Sequence, residues 1–303
     1  MNKNGVALAA DSKATVGAVG QQKTFDTVNK LFTLSKVHPV GIMVFGNAEF
    51  MSYPWETVVK LYREDRRAKS FPLVAEWAKD FFRYLEHFGS IRPEHKRQNV
   101  QQIVLSVIDD LIEQTIRQVK KRRPAVPSAQ FVERLIKKAE QRCATYDSLE
   151  YFFNASGRKA LLRGYGIDIA NAIKDRLSFF ESDALSRVAS ELVLLSLFKK
   201  RFSPRHSGIV IAGFGSDEYF PTVVHYDTDG YVGRSLKIVK RRETDVSRDL
   251  PASVMAFAQA DMVQLFMLGA ASSFANASLH WVCSFPHKLA RRWRPWQTAM
   301  KMR

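Results

Sequence analysis

GVALAADSKATVG (Gly5–Gly17) and, after a polar break, TVNKLFTLSKVHPVGIMVFG (Thr27–Gly46) are the stretches whose reading decides the fold. Gly5 to Ala10 is a short, mostly apolar run, which predicts a buried strand. Where that strand leaves the core, the chain places an acid, a hydroxyl and a base: Asp11, Ser12 and Lys13. Val28 to Leu34 reads as a second strand, with Lys30 set among Val28, Leu31 and Phe32. Val40 to Phe45 reads as a third, ending at Gly46. Burying an unpaired ammonium is costly, so Lys30 calls for a partner, and Asp11 lies one hairpin away.

These residues resemble the opening of a proteasome-type β subunit or its bacterial relatives, which are N-terminal-nucleophile hydrolases. In that family a strand ending in A-A-D-S-(R/K)-A-T supplies an aspartate, and the following hairpin supplies a lysine. Both stand beside a threonine that is the first residue of the processed chain. Matched by motif, the aspartate is Asp11 and the lysine Lys30, while Lys13 takes the basic position in support. Gly46 falls at or next to the glycine whose backbone N–H serves the oxyanion; Phe45 and Asn47 flank it where the family often has a second glycine. The resemblance covers about the first 50 residues well and is weaker around 208–239. It implies an α+β fold, a four-layer αββα sandwich of two antiparallel sheets, and hydrolysis of peptide or amide bonds. It also implies assembly with identical or related subunits, and no metal or organic cofactor.

The chemistry explains why those residue types belong together. A threonine hydroxyl is a weak nucleophile until a base takes its proton, and a free terminal amine can do so at short range. An ammonium at Lys30 would lower that amine's pKa, and Asp11 would hold the lysine charged and fixed. A backbone N–H near Gly46 would meet the tetrahedral oxyanion. Counting back from Asp11 by the family's spacing places the nucleophile about six residues before Met1, so no residue from Met1 onward fills that role. Two expectations arise: a start codon lying upstream of Met1, or a subunit that has lost its nucleophile and serves structure or regulation. Either way, the 303-residue chain is expected to cleave no peptide by this mechanism.

Apolar content of 46% and charged content of 25% are those of an ordinary globular protein with material for a sizeable core. The N-terminus has no charged start followed by a long apolar core, so nothing calls for export. The two cysteines, Cys143 and Cys283, lie far apart, and a reduced, cytoplasmic setting is the simplest reading. No CxxC, HExxH or other metal-ligand spacing occurs, and the seven histidines are scattered. Among them, His225 reads as structural. Gly213-Phe214-Gly215 is only a GxG, with Glu218 at the third glycine's place, which rules out a dinucleotide fingerprint. A net charge of +16 invites a nucleic-acid reading, but no finger, basic zipper or aromatic RNA motif supports one.

Apolar spacing predicts helices at Ala48–Asp65 and Phe71–Phe88, the second capped by Ser70 with Pro72 in its first turn. Further helices are expected at Gln101–Lys121, Ala129–Cys143, Tyr165–Phe180 and Leu185–Phe198. Residues 95–205 therefore read as a helical insertion between the sandwich's first half, 1–94, and its second-sheet strands with one helix, 206–268. Within or beside the insertion, Lys120–Arg123 with Arg134, Lys137 and Lys138, and Lys199–Arg201 with Arg205, read as solvated helix faces. Strands resume at Gly208–Gly215 and Thr222–Asp227; a turn at Thr228-Asp229-Gly230 leads to a third at Tyr231–Lys240. Phe257–Leu268 reads as an apolar helix. From Met262 to Arg303 no acid occurs, while Trp281, Trp293 and Trp296 do, and this reads as a replaced or frame-shifted tail outside the core, 269–303. Met262–Val282 is too polar for a membrane span.

Three function classes are open to such a chain. The first is an N-terminal-nucleophile hydrolase, the second a non-catalytic assembly subunit using the helical insertion, and the third a basic nucleic-acid binder on the same scaffold.

Overall fold

The computed structural model describes residues 1–11, 14–16, 23–25, 29–119, 128–247 and 250–257, with the backbone alone at 14–16 and 23–25. The chain divides into two compact units, Met1–Ser253 and Val254–Arg303. All the strands and helices named here belong to the first. Of the second, residues from 258 onward lie outside the described residues, and with them the expected helix beyond Phe257 and the tail 269–303.

The first departure from expectation is at the start. Gly5–Ala10 forms no strand, and Leu8 lies 3.5 Å from where a side chain at Gly41 would begin. β1 (Ala14–Val16) and β2 (Lys23–Phe25) pair only with each other, in antiparallel register. The main sheet begins with β3 (Leu31–Thr33) and β4 (Val40–Gly46). A two-stranded pair comes next, β5 (Glu49–Phe50) and β6 (Tyr53–Pro54). The first helix, α1 (Trp55–Arg66), therefore begins several residues later than apolar spacing alone suggests. In α2 (Val74–Glu86) the residue before the first turn is Leu73, so Ser70 and Pro72 precede the helix and do not cap it.

Four longer helices come after these: α3 (Pro93–Val119), α4 (Ala129–Asp147), α5 (Ala155–Leu177) and α6 (Asp183–Phe198). Ser128, Asn154 and Ser182 cap the last three, accepting from the backbone N–H of Phe131, Gly157 and Leu185. Three long strands complete the unit, β7 (Ser207–Gly213), β8 (Thr222–Val232) and β9 (Ser235–Asp245). They do not form a second sheet. β7 pairs antiparallel with β4, from Val40 opposite Gly213 to Gly46 opposite Ser207, giving one five-stranded sheet in the order β3-β4-β7-β8-β9. The described residues thus show a mixed helix-and-sheet protein with this antiparallel sheet, two small strand pairs and six α-helices.

Alternation along the strands sorts the side chains onto two faces. Ile42, Val44, Ile209, Ile211 and Val224 share one core with Trp55, Tyr62, Trp77, Phe81 and Leu85 of α1 and α2. Each fully buried side chain such as Phe81 or Leu85 contributes roughly 1.5–3 kcal/mol by leaving water. Asp80 locks the two helices, accepting from Tyr62 Oη at 3.0 Å and Arg66 Nε at 2.5 Å. The helices α3 to α6 bury a separate core around Val104, Ile108, Leu135, Leu161 and Leu192, to which the sheet adds Val232. The helical insertion therefore has a hydrophobic core of its own within the first unit. Its basic residues are not all solvated: Lys199 is buried, donates to Asp147 O at 2.7 Å and lies 3.7 Å from the centre of the Tyr151 ring.

The last hairpin also differs from the expected turn. Thr228-Asp229-Gly230 lies inside β8, and the chain reverses between Val232 and Ser235. Register shifts at His225/Tyr226 and Thr228/Gly230 mark two bulges. The first leaves Arg241 of β9 without an opposing residue, and the second does the same for Asp229 of β8. Both extra residues are charged, and each is turned towards a buried partner of opposite charge.

Candidate functional site

Asp11 and Lys30 come together although neither stands in a strand. Lys30 Nζ lies 2.6 Å from Asp11 Oδ1, across 19 residues of sequence. Asp11 precedes β1 and Lys30 comes after β2, so the ion pair closes the base of that small hairpin. Lys30 is held from behind as well, because Val44 N of β4 donates to Lys30 O at 2.8 Å. The pair is only half buried, with side-chain exposures of 19% for Lys30 and 70% for Asp11. At that exposure an ion pair is worth roughly 0–1 kcal/mol of stability, so the fold does not depend on it. Lys13 lies outside the described residues.

Gly46 ends β4 with φ +81, a conformation that side-chain-bearing residues avoid. A Cβ there would stand 2.3 Å from the backbone oxygen of His206, so both backbone angle and neighbour demand glycine. The turn after it is pinned to β7. Ser207 Oγ donates to Asn47 O at 3.0 Å, and Trp55 Nε1 lies 3.2 Å from both Asn47 O and Ser207 Oγ. The sheet thus fixes Lys30 opposite Val44 and Gly46 two residues further along the same strand.

Beside Gly46 stands a polar cluster that sequence reasoning missed. Asp227 Oδ1 lies 3.2 Å from His225 Nε2 and 3.9 Å from His206 Nε2, and Arg241 Nε donates to Asp227 Oδ2 at 2.6 Å. His206 Nδ1 is 2.7 Å from Ser203 O, which makes that nitrogen the donor and leaves Nε2 to face the carboxylate. Phe45 covers Gly208 and meets the His225 ring at 5.5 Å, and any Cβ on Gly208 would overlap that phenyl ring. His225 and Asp227 share a strand face by their spacing of two, and the bulge delivers Arg241 to it. The readable signal was the His-x-Asp alternation opposite a strand glycine.

Burial works to raise the pKa of the Asp227 carboxyl. The hydrogen bonds from His225 and Arg241, with the charges of both histidines, outweigh it and hold the group below its ordinary 3.8. A carboxyl depressed in the folded state stabilises the fold above its unfolded pKa, and that stability is lost as pH falls through the folded value. Asp227→Asn is therefore expected to cost about 1.5–3 kcal/mol at pH 7, the worth of charge-assisted hydrogen bonds. The difference from the parent should shrink as pH drops below about 4, measured by urea unfolding at each pH.

Deeper in, the second bulge places Asp229 against Lys237. Lys237 is fully buried; its Nζ lies 3.4 Å from Asp229 Oδ2 and donates to Ser196 O and Arg201 O at 2.7 and 2.5 Å. Asp229 in turn accepts from Ser203 N and Ser203 Oγ. The network ties the end of α6 and the loop after it to β8 and β9. Cys143 is no candidate nucleophile: it is buried among the helices, and burial with nearby Glu191 and Glu140 pushes its thiol up to about 11.

No group of His, Cys, Asp and Glu among the described residues has the arrangement to hold a metal ion, and no described helix is long and apolar enough to cross a membrane. In comparisons with known proteins, no family model matches the chain, and no curated protein or solved structure shows significant similarity to it.

Proposed function

We propose that the chain is an N-terminal-nucleophile hydrolase of the proteasome-like type, acting on peptide or amide bonds in a reduced, cytoplasmic setting and working as an oligomer. The observation that carries this reading is the Lys30–Asp11 ion pair at 2.6 Å. Two residues of separate motifs, A-A-D-S-K-A-T and V-N-K-L-F-T-L, meet at one point, next to the strand that ends in Gly46. α1 and α2 follow the strands β4 to β6, as two helices follow the first strands in the family, and the chain then adds α3 to α6 before β7. In this reading Lys30 holds a positive charge beside the nucleophile, Asp11 positions Lys30, and the backbone at Gly46 meets the oxyanion. The four-layer sandwich, with a second sheet facing the first, belongs to the same proposal, as does a supporting place for Lys13.

The nucleophile itself would be a Thr, Ser or Cys about six residues before Met1, exposed by processing. The test compares the 303-residue chain with one extended in frame upstream to that residue. The extended, processed chain is expected to hydrolyse short fluorogenic peptides and to be inactivated by an N-terminal threonine-directed electrophile, whereas the shorter one stays inert. An extended chain without hydrolysis, or with hydrolysis that survives blocking the terminal amine, overturns the proposal.

A second reading, a non-catalytic assembly subunit of the same fold, is favoured by one observation. The separate helical unit exposes large apolar side chains, Ile167 at 79% and Phe179 at 58%. An inert extended chain that assembles into a defined oligomer selects this reading.

A further inference from the structure

We infer that a cleft between α5 and the β8–β9 turn is a binding site for a small organic phosphomonoester. The cleft encloses about 390 Å³ and is bounded by the start of α3, the N-terminal half of α5 and the turn after Val232. Small-ligand sites occupy roughly 300–1,000 Å³, so a molecule of about one ring and one charged group fits.

The charge of the lining identifies the ligand's chemistry. Three charged residues line the space, Arg97 of α3, Arg163 of α5 and Arg234 of the turn, and no Asp or Glu is among the lining residues. Arg97 is neutralised by Asp168 at 2.5 Å and lies over the Tyr165 ring at 5.8 Å, which holds its guanidinium in place. The side chains of Arg163 and Arg234 make no hydrogen bond or ion pair among the described residues, and both residues are exposed. Two uncompensated positive charges match a phosphomonoester, which carries about −1.5 to −2 at neutral pH, better than they match a single carboxylate. Guanidinium groups suit the task because their paired N–H donors fit an oxyanion two at a time.

The shape of the wall points to an apolar body on that ligand. Gly157, Leu161, Gly164 and Tyr165 share one face of α5. Glycine is disfavoured inside a helix, and a Cβ on Gly164 would meet nothing within 4 Å, so neither backbone nor packing asks for it. Its effect is to leave room beside Leu161 and Phe153, which offer apolar surface next to the arginines.

The test measures binding of phenyl phosphate, inorganic phosphate and benzoate to the whole chain by calorimetry. Phenyl phosphate is expected to bind most tightly and benzoate most weakly. Arg163→Gln and Arg234→Gln should each weaken phenyl phosphate about tenfold, the loss of one charge-assisted contact. Arg134→Gln on α4, outside the cleft, should leave it unchanged. Gly164→Leu places a side chain in open space and should reduce phenyl phosphate to the affinity of inorganic phosphate. No binding of phenyl phosphate at millimolar concentration overturns the assignment. So does equal weakening by Arg134→Gln, which would make the attraction diffuse, or indifference to Gly164→Leu.

Discussion

Asp229→Ala is expected to lower the unfolding free energy by about 3–5 kcal/mol, the cost of leaving a buried charge without its partner. Lys237 is wholly shielded from water, and in the parent Asp229 balances its charge while Ser196 O and Arg201 O accept its hydrogen bonds. Burial already pushes the Lys237 ammonium below its ordinary 10.5, with Asp229 pulling the other way. Removing the aspartate leaves the downward push unopposed. The unfolded chain then holds the lysine proton to a higher pH than the folded one does, so the variant's stability should rise with pH towards 10.5. Replacing both partners, as in Asp229→Leu with Lys237→Met, should cost far less than either single change, because no charge is left stranded. Urea unfolding of the two single variants and the double gives the coupling directly. A loss below about 1 kcal/mol in Asp229→Ala would show that water reaches Lys237.

Lys30→Ala should divide activity from stability. In the upstream-extended, processed chain it is expected to lower the rate of amide hydrolysis about 10²–10⁴-fold, the range for removing a group that assists proton transfer. Stability should change by less than about 1 kcal/mol, since the pair with Asp11 is only half buried. Asp11→Asn should lose less than Lys30→Ala and should move the pH dependence of the rate, because in the proposed mechanism Asp11 positions Lys30. Lys30→Arg keeps the charge but not the compact ammonium, and should recover little. A Lys30→Ala enzyme with parental turnover would remove Lys30 from the chemistry.

The parts of the fold that were legible in the sequence are those built from unbroken apolar runs. VGIMVFG and SGIVIAG occupy central positions in the sheet and are buried along most of their length, so their patterns need no partner to be read. The helical unit was legible for the same reason, through the stripes of α3 and α6. Its polar first turns were not, and α3 begins at Pro93, well before the first apolar residue of its stripe. Strands β5 and β6 are two residues each, too short to carry a period, so apolar spacing alone extends α1 back over them. Thr228-Asp229-Gly230 looks like a turn because charge and glycine favour turns, yet burial against Lys237 and Ser203 keeps it in a strand. That partnership joins residues distant in the chain and leaves no local trace. The Asp11–Lys30 meeting was anticipated from motif, but Gly5–Ala10 was not the strand expected to deliver it. Arg241 reaches Asp227 only through a bulge, which no spacing rule announces.

The pairing of β4 with β7 joins strands separated by the whole helical unit; Asn47 and Ser207, which touch at its end, are 160 residues apart. During synthesis the open edge of β4 must wait until all four long helices have been made. A nascent chain of this kind exposes an apolar strand with unsatisfied hydrogen bonds for many seconds at ordinary elongation rates of about 5–20 residues per second. The helices have their own core and local contacts, so collapse of that unit first would draw the two strand ends together and shorten the loop that sheet closure must span. The helical unit then has a role in order of assembly, as the folded spacer that brings a late strand to an early one.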